Sequence, residues 1–395
     1  SSLCVFFDTL FGIPVSMGSV EGLPENDGIW DEFSLFDLES ELDIHRAQPV
    51  VPKPVETCRF LRLNVRTVPS IPAPPGTPLA PPPRPAVARC KSLKAQQFSR
   101  LLGASCVDTD GLRKLLWSGA PEQEPSIRAR SWQLLVCGLP PVAAERTRVV
   151  LERREEYSAL KREHRCDEKT CASTIRTDVQ QALRGQWLRS PRVKTLMEDV
   201  LTVWAAIDGH VYVPGMGLLL TPFVAVLMSS ELEQPLADLQ VGGVLEPVLA
   251  RVEADAFWCW THIAPFVEVT GDPLQRLREL VQRIDGGLHA HLAKQKVDLA
   301  QFASNWVSGF FLRELSLPCA VRLWDTYVAE HYEGFLDFHV YVCASFLACW
   351  SSQLKHMDGF ELMTFLQKLP TGGWRAEDVE TLLAEAWVLK SCFHA

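Results

Sequence analysis

Apolar residues recur every three or four positions through most of the chain. Val193, Leu196, Met197, Val200, Leu201, Trp204 and Ile207 line one side of a helical wheel. Leu274, Leu277, Val281, Ile284, Leu288 and Leu292 do the same. Asp272 and Pro273 fit the N-cap and first turn of that second helix. The Gly286-Gly287 pair predicts a break or kink inside it, because glycine is a poor helix interior. Val379, Leu382, Leu383 and Ala386 form a shorter stripe near the end. No run alternates with the period of a strand, and no repeat of solenoid length occurs. The expected fold from residue 90 onward is all-α, with many short to medium helices in non-bundle packing. The stretch 209–230 carries no charged residue but holds Pro214, Gly215, Gly217 and Pro222. It reads as a buried core helix entered through a tight loop, rather than a membrane span.

The first ninety residues follow different rules. Residues 21–45 hold nine Asp or Glu and no Lys or Arg, interleaved with Ile29, Trp30, Phe33, Leu35, Phe36 and Leu38. Acidic-hydrophobic alternation of this kind predicts a segment that orders on a partner, so residues 1–62 are expected to be largely disordered. Residues 69–85 contain nine prolines in seventeen positions. Proline fixes φ and removes a donor, which predicts an extended linker over 63–89. Within it, Arg66, Pro69 and Pro72 fit the spacing of an SH3 ligand, so an SH3 or other peptide-binding adaptor is a candidate partner. The chain begins without Met, as a truncated or processed one would, and its first apolar run lacks the basic flank of a signal peptide.

Composition narrows the functional classes. The 395 residues are 47% apolar and 22% charged, enough for a sizeable core. A net charge of −9 argues against nucleic acid as the main partner. Twelve cysteines include no C-x-x-C pair, and Cys166 and Cys171 have no matching second pair for zinc, so reduced thiols and no metal are expected. His289 and His291 stand two apart, which on a helix points them in different directions. Phosphate-loop, zinc-protease, nucleophile-elbow and dinucleotide fingerprints are all missing, so no cofactor is expected.

Specific motifs carry the functional reading. Residues 302–327 run FASNWVSGFFLRELSLPCAVRLWDTY. Before them, in order, come Trp117-Ser118-Gly119, Arg130-Ser131-Trp132, Ile175-Arg176-Thr177-Asp178, Tyr212-Val213-Pro214-Gly215-Met216 and Glu253-Ala254-Asp255-Ala256-Phe257-Trp258-Cys259. This succession resembles the TBC domain of Rab GTPase-activating proteins, over about residues 90–395. The tail, with Phe338-His339-Val340-Tyr341-Val342-Cys343 and Leu382-Leu383-Ala384-Glu385-Ala386, looks most like the Golgi-associated branch. The resemblance implies a two-lobed, multi-helix domain that binds a GTP-loaded Rab, in a cytoplasmic protein peripheral at Golgi membranes.

The resemblance also implies a chemistry, and the residues depart from it. Family members supply an Arg closing I-x-x-D-x-x-R and a Gln third in Y-x-Q-G. The Arg stabilises charge on the phosphates in the transition state, and the Gln orients the attacking water. Here the Arg position is Gln181 and the Gln position is Pro214, while Gly217 stands where Asn often follows. Gln181 brings no charge, and Pro214 has neither a polar side chain nor an N–H. An arginine finger is worth about 10³–10⁵ in kcat, so catalysis is expected to be weak or lost. Arg176 and Arg184 are the nearest candidates for a displaced finger, with Arg184 three residues from Gln181 and on a similar helical face. Asp178, Arg176, Arg184, Tyr212 and Gly215 are assigned to the GTPase-binding surface. Asp325 and Arg322 read as structural, Trp117, Trp132, Trp258, Trp306 and Trp324 as core aromatics, and His210 as packed or solvent-facing.

Three readings follow: a pseudo-GAP that binds a Rab without hydrolysing its GTP, an active GAP with displaced residues, and a trafficking scaffold or adaptor.

Overall fold

A computed structural model describes residues 92–164, 171–182, 190–207, 210–267, 272–330 and 332–393. The acidic segment, the Pro-rich linker with its SH3-like spacing, and Arg184 lie outside the described residues. Those described form sixteen α-helices and no strand. In order they are α1 (Leu93–Leu102), α2 (Thr109–Trp117), α3 (Pro125–Leu135), α4 (Ala143–Glu163), α5 (Ala172–Ala182), α6 (Pro191–Ala206), α7 (Met216–Leu232) and α8 (Glu246–Val267). Then come α9 (Pro273–Ile284), α10 (Gly286–Lys294), α11 (Ala300–Gly309), α12 (Leu317–Ala329), α13 (Tyr332–Cys349), α14 (Ser351–Leu354), α15 (Gly359–Gln367) and α16 (Ala376–Phe393).

The capping chemistry acts where the sequence places it. Asp272 accepts from the Gln275 N–H at 3.0 Å and Pro273 fills the first helical position of α9. The Gly286-Gly287 break is real: α9 stops at Ile284, and Asp285 caps α10 by accepting from the Leu288 N–H at 2.9 Å. One long amphipathic stripe therefore becomes two helices.

The uncharged stretch becomes α7, whose residues Met216 to Ser229 are all buried. It packs on α3, α5 and α8. A helix apolar on every side needs neighbours on every side, and its charge, Glu231, waits for the exposed last turn. Among the described residues no helix is long and apolar enough to cross a membrane. Later in the chain, α13 packs on α9 and α16. Helix α12 touches α2, α3 and α7 as well as α13 and α16, and so joins the early helices to the late ones.

The joint is built around one buried carboxylate. Asp325 on α12 is fully buried and accepts from Trp132 Nε1 (2.8 Å), the Ala120 N–H (2.8 Å) and Arg128 Nε (3.1 Å to each oxygen). A buried charge survives only when paired and hydrogen-bonded, and here three donors from α3 and the preceding loop supply that. Arg322, also buried, donates to Thr326 and lies 3.5 Å from Glu380 on α16. Both residues hold helices together, as expected from the sequence.

Two expectations are corrected. Trp132, Trp306 and Trp324 are core aromatics, but Trp117 and Trp258 are only half-buried. Their indole N–H groups bond Glu330 and the Arg153 carbonyl, and the amphipathic indole suits such boundary sites. Nor are all described thiols free: Cys137, just beyond α3, is disulfide-paired with Cys259 on α8, their Cα atoms 4.9 Å apart. Spacing along the chain could not show this, because 122 residues separate them.

Candidate functional site

The segments Ile175–Gln181 and Tyr212–Met216 meet. The first lies on α5 and the second is the loop that enters α7, and the two helices pack together. Ser173, Thr174, Thr177, Asp178, Gln181 and Pro214 line an open groove of about 300 Å³ between them. The five α5 residues follow i, i+4 and i+8 spacing, so they share one helix face. Gln181 and Pro214, which the family resemblance sets at the finger positions, therefore face one space. Among the described residues the lining holds no Lys or Arg, and Asp178 is its one charged residue.

The loop has a defined shape. Val213 O accepts from the Met216 N–H at 3.3 Å, closing a four-residue turn. Gly215 sits at φ 104° and ψ −19°, in the left-handed region that glycine enters without a steric penalty. Pro second and Gly third are the residues that a type II turn selects. Pro214 removes a polar side chain and at the same time fixes its own φ, pre-setting the turn.

Asp178 anchors this turn to α5. Its side chain is buried, and Oδ2 accepts from the Gly217 N–H at 2.9 Å and from the Tyr212 hydroxyl. Gly217 N belongs to the first turn of α7, where N–H groups lack intrahelical partners and a negative charge is favoured. Burial, and next the Asp178 charge, push the Tyr212 phenol far above its ordinary range, so it remains a donor. A Cβ at Gly217 would stand 3.1 Å from Asp178 Oδ2 and 3.3 Å from Val179 N. Gly217 thus does more than lack a polar side chain: it lets the two backbones come this close.

The other predicted site residues are dispersed. Arg176 is exposed on α5 and does not line the groove. At 3.6 residues per turn it projects more than a quarter-turn away from the face carrying Thr177, Asp178 and Gln181. His210 is packed, its ring stacked on Trp204 at 4.5 Å with Nδ1 2.9 Å from the Trp204 carbonyl. His291 Nε2 is 2.9 Å from the Met357 carbonyl. No group of three or more His, Cys, Asp or Glu positioned for a metal occurs among the described residues. The sequence reading missed Ser173, Thr174 and Thr177 as groove residues, although their spacing to Gln181 on one helix was the available signal. It also missed Arg128, whose burial follows only from the distant Asp325.

Comparison with known proteins agrees with this geometry. Residues 125–355 match the family model described as the Rab-GTPase-TBC domain. The chain is 35% identical over 328 residues to TBC1 domain family member 22A of Macaca fascicularis, covering 78% of this chain and 64% of that protein. It is 34% identical over 319 residues to the GTPase-activating protein gyp1 of Schizosaccharomyces pombe, covering 76% and 61%. The chain thus spans less than two thirds of the length of these relatives. Among solved structures, the Ypt/Rab-GAP domain of Gyp1p superposes with a TM-score of 0.67 at 27% identity, over 76% of this chain and 98% of that domain. The all-α fold, the ordered motifs and these matches agree: the chain belongs to the Rab-GTPase-TBC domain family.

Proposed function

We propose that this protein binds a GTP-loaded Rab-type small GTPase through the α5–α7 groove but contributes little or nothing to GTP hydrolysis. One observation carries the reading: the two finger positions share a groove whose lining, among the described residues, has no cation and no amide but that of Gln181. Phosphoryl transfer needs positive charge placed at the phosphates, and a groove of hydroxyls and one engaged carboxylate supplies none. The scaffold beneath it is intact, because Asp178, Tyr212, Gly215 and Gly217 hold the loop against α5. A surface that keeps its shape and lacks its charge suits recognition without catalysis. Arg176 gives no support to a displaced finger, since it lies off the groove-lining face. The same reading makes the protein a regulator of membrane traffic, peripheral at Golgi membranes, with residues 1–62 and 63–89 serving as a partner-binding tail and a linker.

The test is single-turnover GTP hydrolysis across a panel of Rabs, paired with a binding measurement. We expect measurable binding to at least one GTP-loaded Rab and acceleration below about tenfold, against the 10³–10⁵ of a supplied arginine. Stimulation of any Rab a hundredfold or more, abolished by Arg176→Ala or Arg184→Ala, would establish the displaced-finger mechanism instead. Absence of binding to every Rab would leave the adaptor reading.

A further inference from the structure

A second cavity lies away from the α5–α7 groove, between the start of α4, the end of α1 and the outer side of α3. Its volume is about 480 Å³, within the range of small-ligand sites. Arg130 on α3 and Arg146 and Arg154 on α4 line it, together with Leu151. The three arginines differ in charge state of the surroundings. Arg154 is paired bidentately with Asp255, at 2.8 and 2.7 Å. Among the described residues, Arg130 and Arg146 are held by backbone carbonyls alone. Arg130 Nη2 donates to Leu102 O at 2.8 Å. Arg146 donates from Nε to Pro140 O at 3.1 Å and from Nη2 to Pro141 O at 2.7 Å.

Those bonds fix both guanidinium groups in place and leave most of their N–H groups unused, since each carries five. Burial, and next the charge of Arg130, lower the pKa of Arg146, and no carboxylate acts on it. Two cations are therefore held near one another without a counter-ion among the described residues, in a chain of net charge −9. Like charges at short range repel, so an anion between them relieves a standing electrostatic cost. Two planar forks suit the tetrahedral oxygens of a phosphomonoester, which also carries close to two negative charges.

The rim indicates where that phosphate comes from. Leu151, which lines the cavity, is 55% exposed. An exposed apolar side chain beside a basic pocket fits the boundary between headgroups and acyl chains. A soluble anion or a polar peptide would gain nothing from it.

We propose that this cavity binds the phosphomonoester of a phosphatidylinositol phosphate, with Arg130 and Arg146 on the phosphate and Leu151 in the bilayer surface. It would set the protein on a membrane independently of any GTPase.

The experiment is sedimentation of the full chain with phosphatidylcholine vesicles, with and without a phosphatidylinositol phosphate, alongside titration with soluble inositol phosphate. We expect binding only to the phosphoinositide vesicles. Each arginine near an anionic surface contributes about fivefold, so R130A/R146A together should weaken vesicle binding roughly thirtyfold. R148A should not, because Arg148 is exposed and pairs with Glu152 at 2.7 Å. L151A, at an exposed position that folding does not need, should weaken vesicle binding about tenfold and leave affinity for soluble inositol phosphate unchanged. R130K/R146K, which keeps the charge, should retain part of the binding and guards against a folding defect. Equal binding to vesicles lacking the phosphoinositide would overturn the proposal, as would wild-type binding by R130A/R146A. Binding of soluble inositol phosphate or a phosphopeptide without vesicle binding would overturn the lipid assignment.

Discussion

Replacing Asp178 with Ala tests whether this carboxylate holds the groove together. The change removes the acceptor for two donors, the Tyr212 hydroxyl and the Gly217 N–H. Asp178 is buried and Gly217 N lies in a buried turn, so water does not readily take its place. An orphaned buried donor costs about 1–3 kcal/mol, so the pair predicts a loss of roughly 2–5 kcal/mol. Tyr212→Phe removes one of the two bonds, made to a charged acceptor, and should cost about 1.5–3 kcal/mol. In the Asp178→Ala background that partner is already gone, so Tyr212→Phe should then cost nothing and recover part of the orphaned hydroxyl's penalty. The resulting coupling of at least about 1.5 kcal/mol is far outside the few tenths expected of independent sites. Urea unfolding of the four proteins measures it, provided the m-values agree. A loss below about 1 kcal/mol for Asp178→Ala, or an additive cycle, would refute the anchor. The same variants should lose binding of the GTP-loaded Rab, because the loop they release forms one wall of the groove.

Three further outcomes follow from the structure. His339 is fully buried, with Nδ1 2.6 Å from the Tyr327 hydroxyl and Nε2 3.0 Å from the Trp306 carbonyl, and burial lowers its pKa to about 4. Its stabilisation is complete above the unfolded value near 6.5 and is lost as pH falls towards 4, by about 3 kcal/mol, which denaturation midpoints over that range measure; a flat profile, or an unchanged one in His339→Gln, would exclude it. At the alkaline end, burial first of all raises the phenols of Tyr157, Tyr212 and Tyr327 above 10, so the unfolded chain ionises there before the folded one. Stability should therefore fall above pH ~10 by about 1.4 kcal/mol per pH unit for each phenol, and Tyr157→Phe should reduce that slope. Gly119 sits at φ +88°, and a Cβ there would land on the Arg322 guanidinium, so Gly119→Ala should cost about 2 kcal/mol or more in thermal unfolding, whereas Gly373→Ala, with open space around it, should be nearly neutral.

The fold was legible where local rules decide. Periodicity located α6, α9 and α16, and the Asp272-Pro273 and Gly286-Gly287 signals fixed ends that the backbone obeys. An uncharged stretch identified α7 as a core helix, buried from Met216 to Ser229. What stayed hidden depends on distance along the chain. Arg128 looks like any surface arginine of an amphipathic helix until Asp325, 197 residues later, is seen to accept from it. Cys137 and Cys259 are two of twelve cysteines with no spacing to distinguish them. The site divides in the same way. The ordered motifs indicate which residues meet, but the sequence presents Gly217 only as a missing side chain. The close approach of α7 to Val179 that needs a glycine is a property of two packed backbones.

The frame of the groove and its exposed positions are held by different constraints. The groups that shape the groove are Asp178, Tyr212, Gly215 and Gly217, and each is tied to helix packing or turn geometry. The groups that would act on a phosphate sit on the exposed side of the same frame. Gln181 is exposed on α5, and Pro214 occupies a turn corner whose side chain points to the groove. Substitution there leaves no buried donor unpaired and no cavity in the core, so stability does not oppose it. Replacing Asp178 would carry the full cost of two orphaned donors. Proline at position 214 even favours the turn, because it restricts the unfolded chain at a position whose native φ it can adopt. Physical chemistry thus allows positions 181 and 214 to change freely while it holds the Asp178 anchor in place.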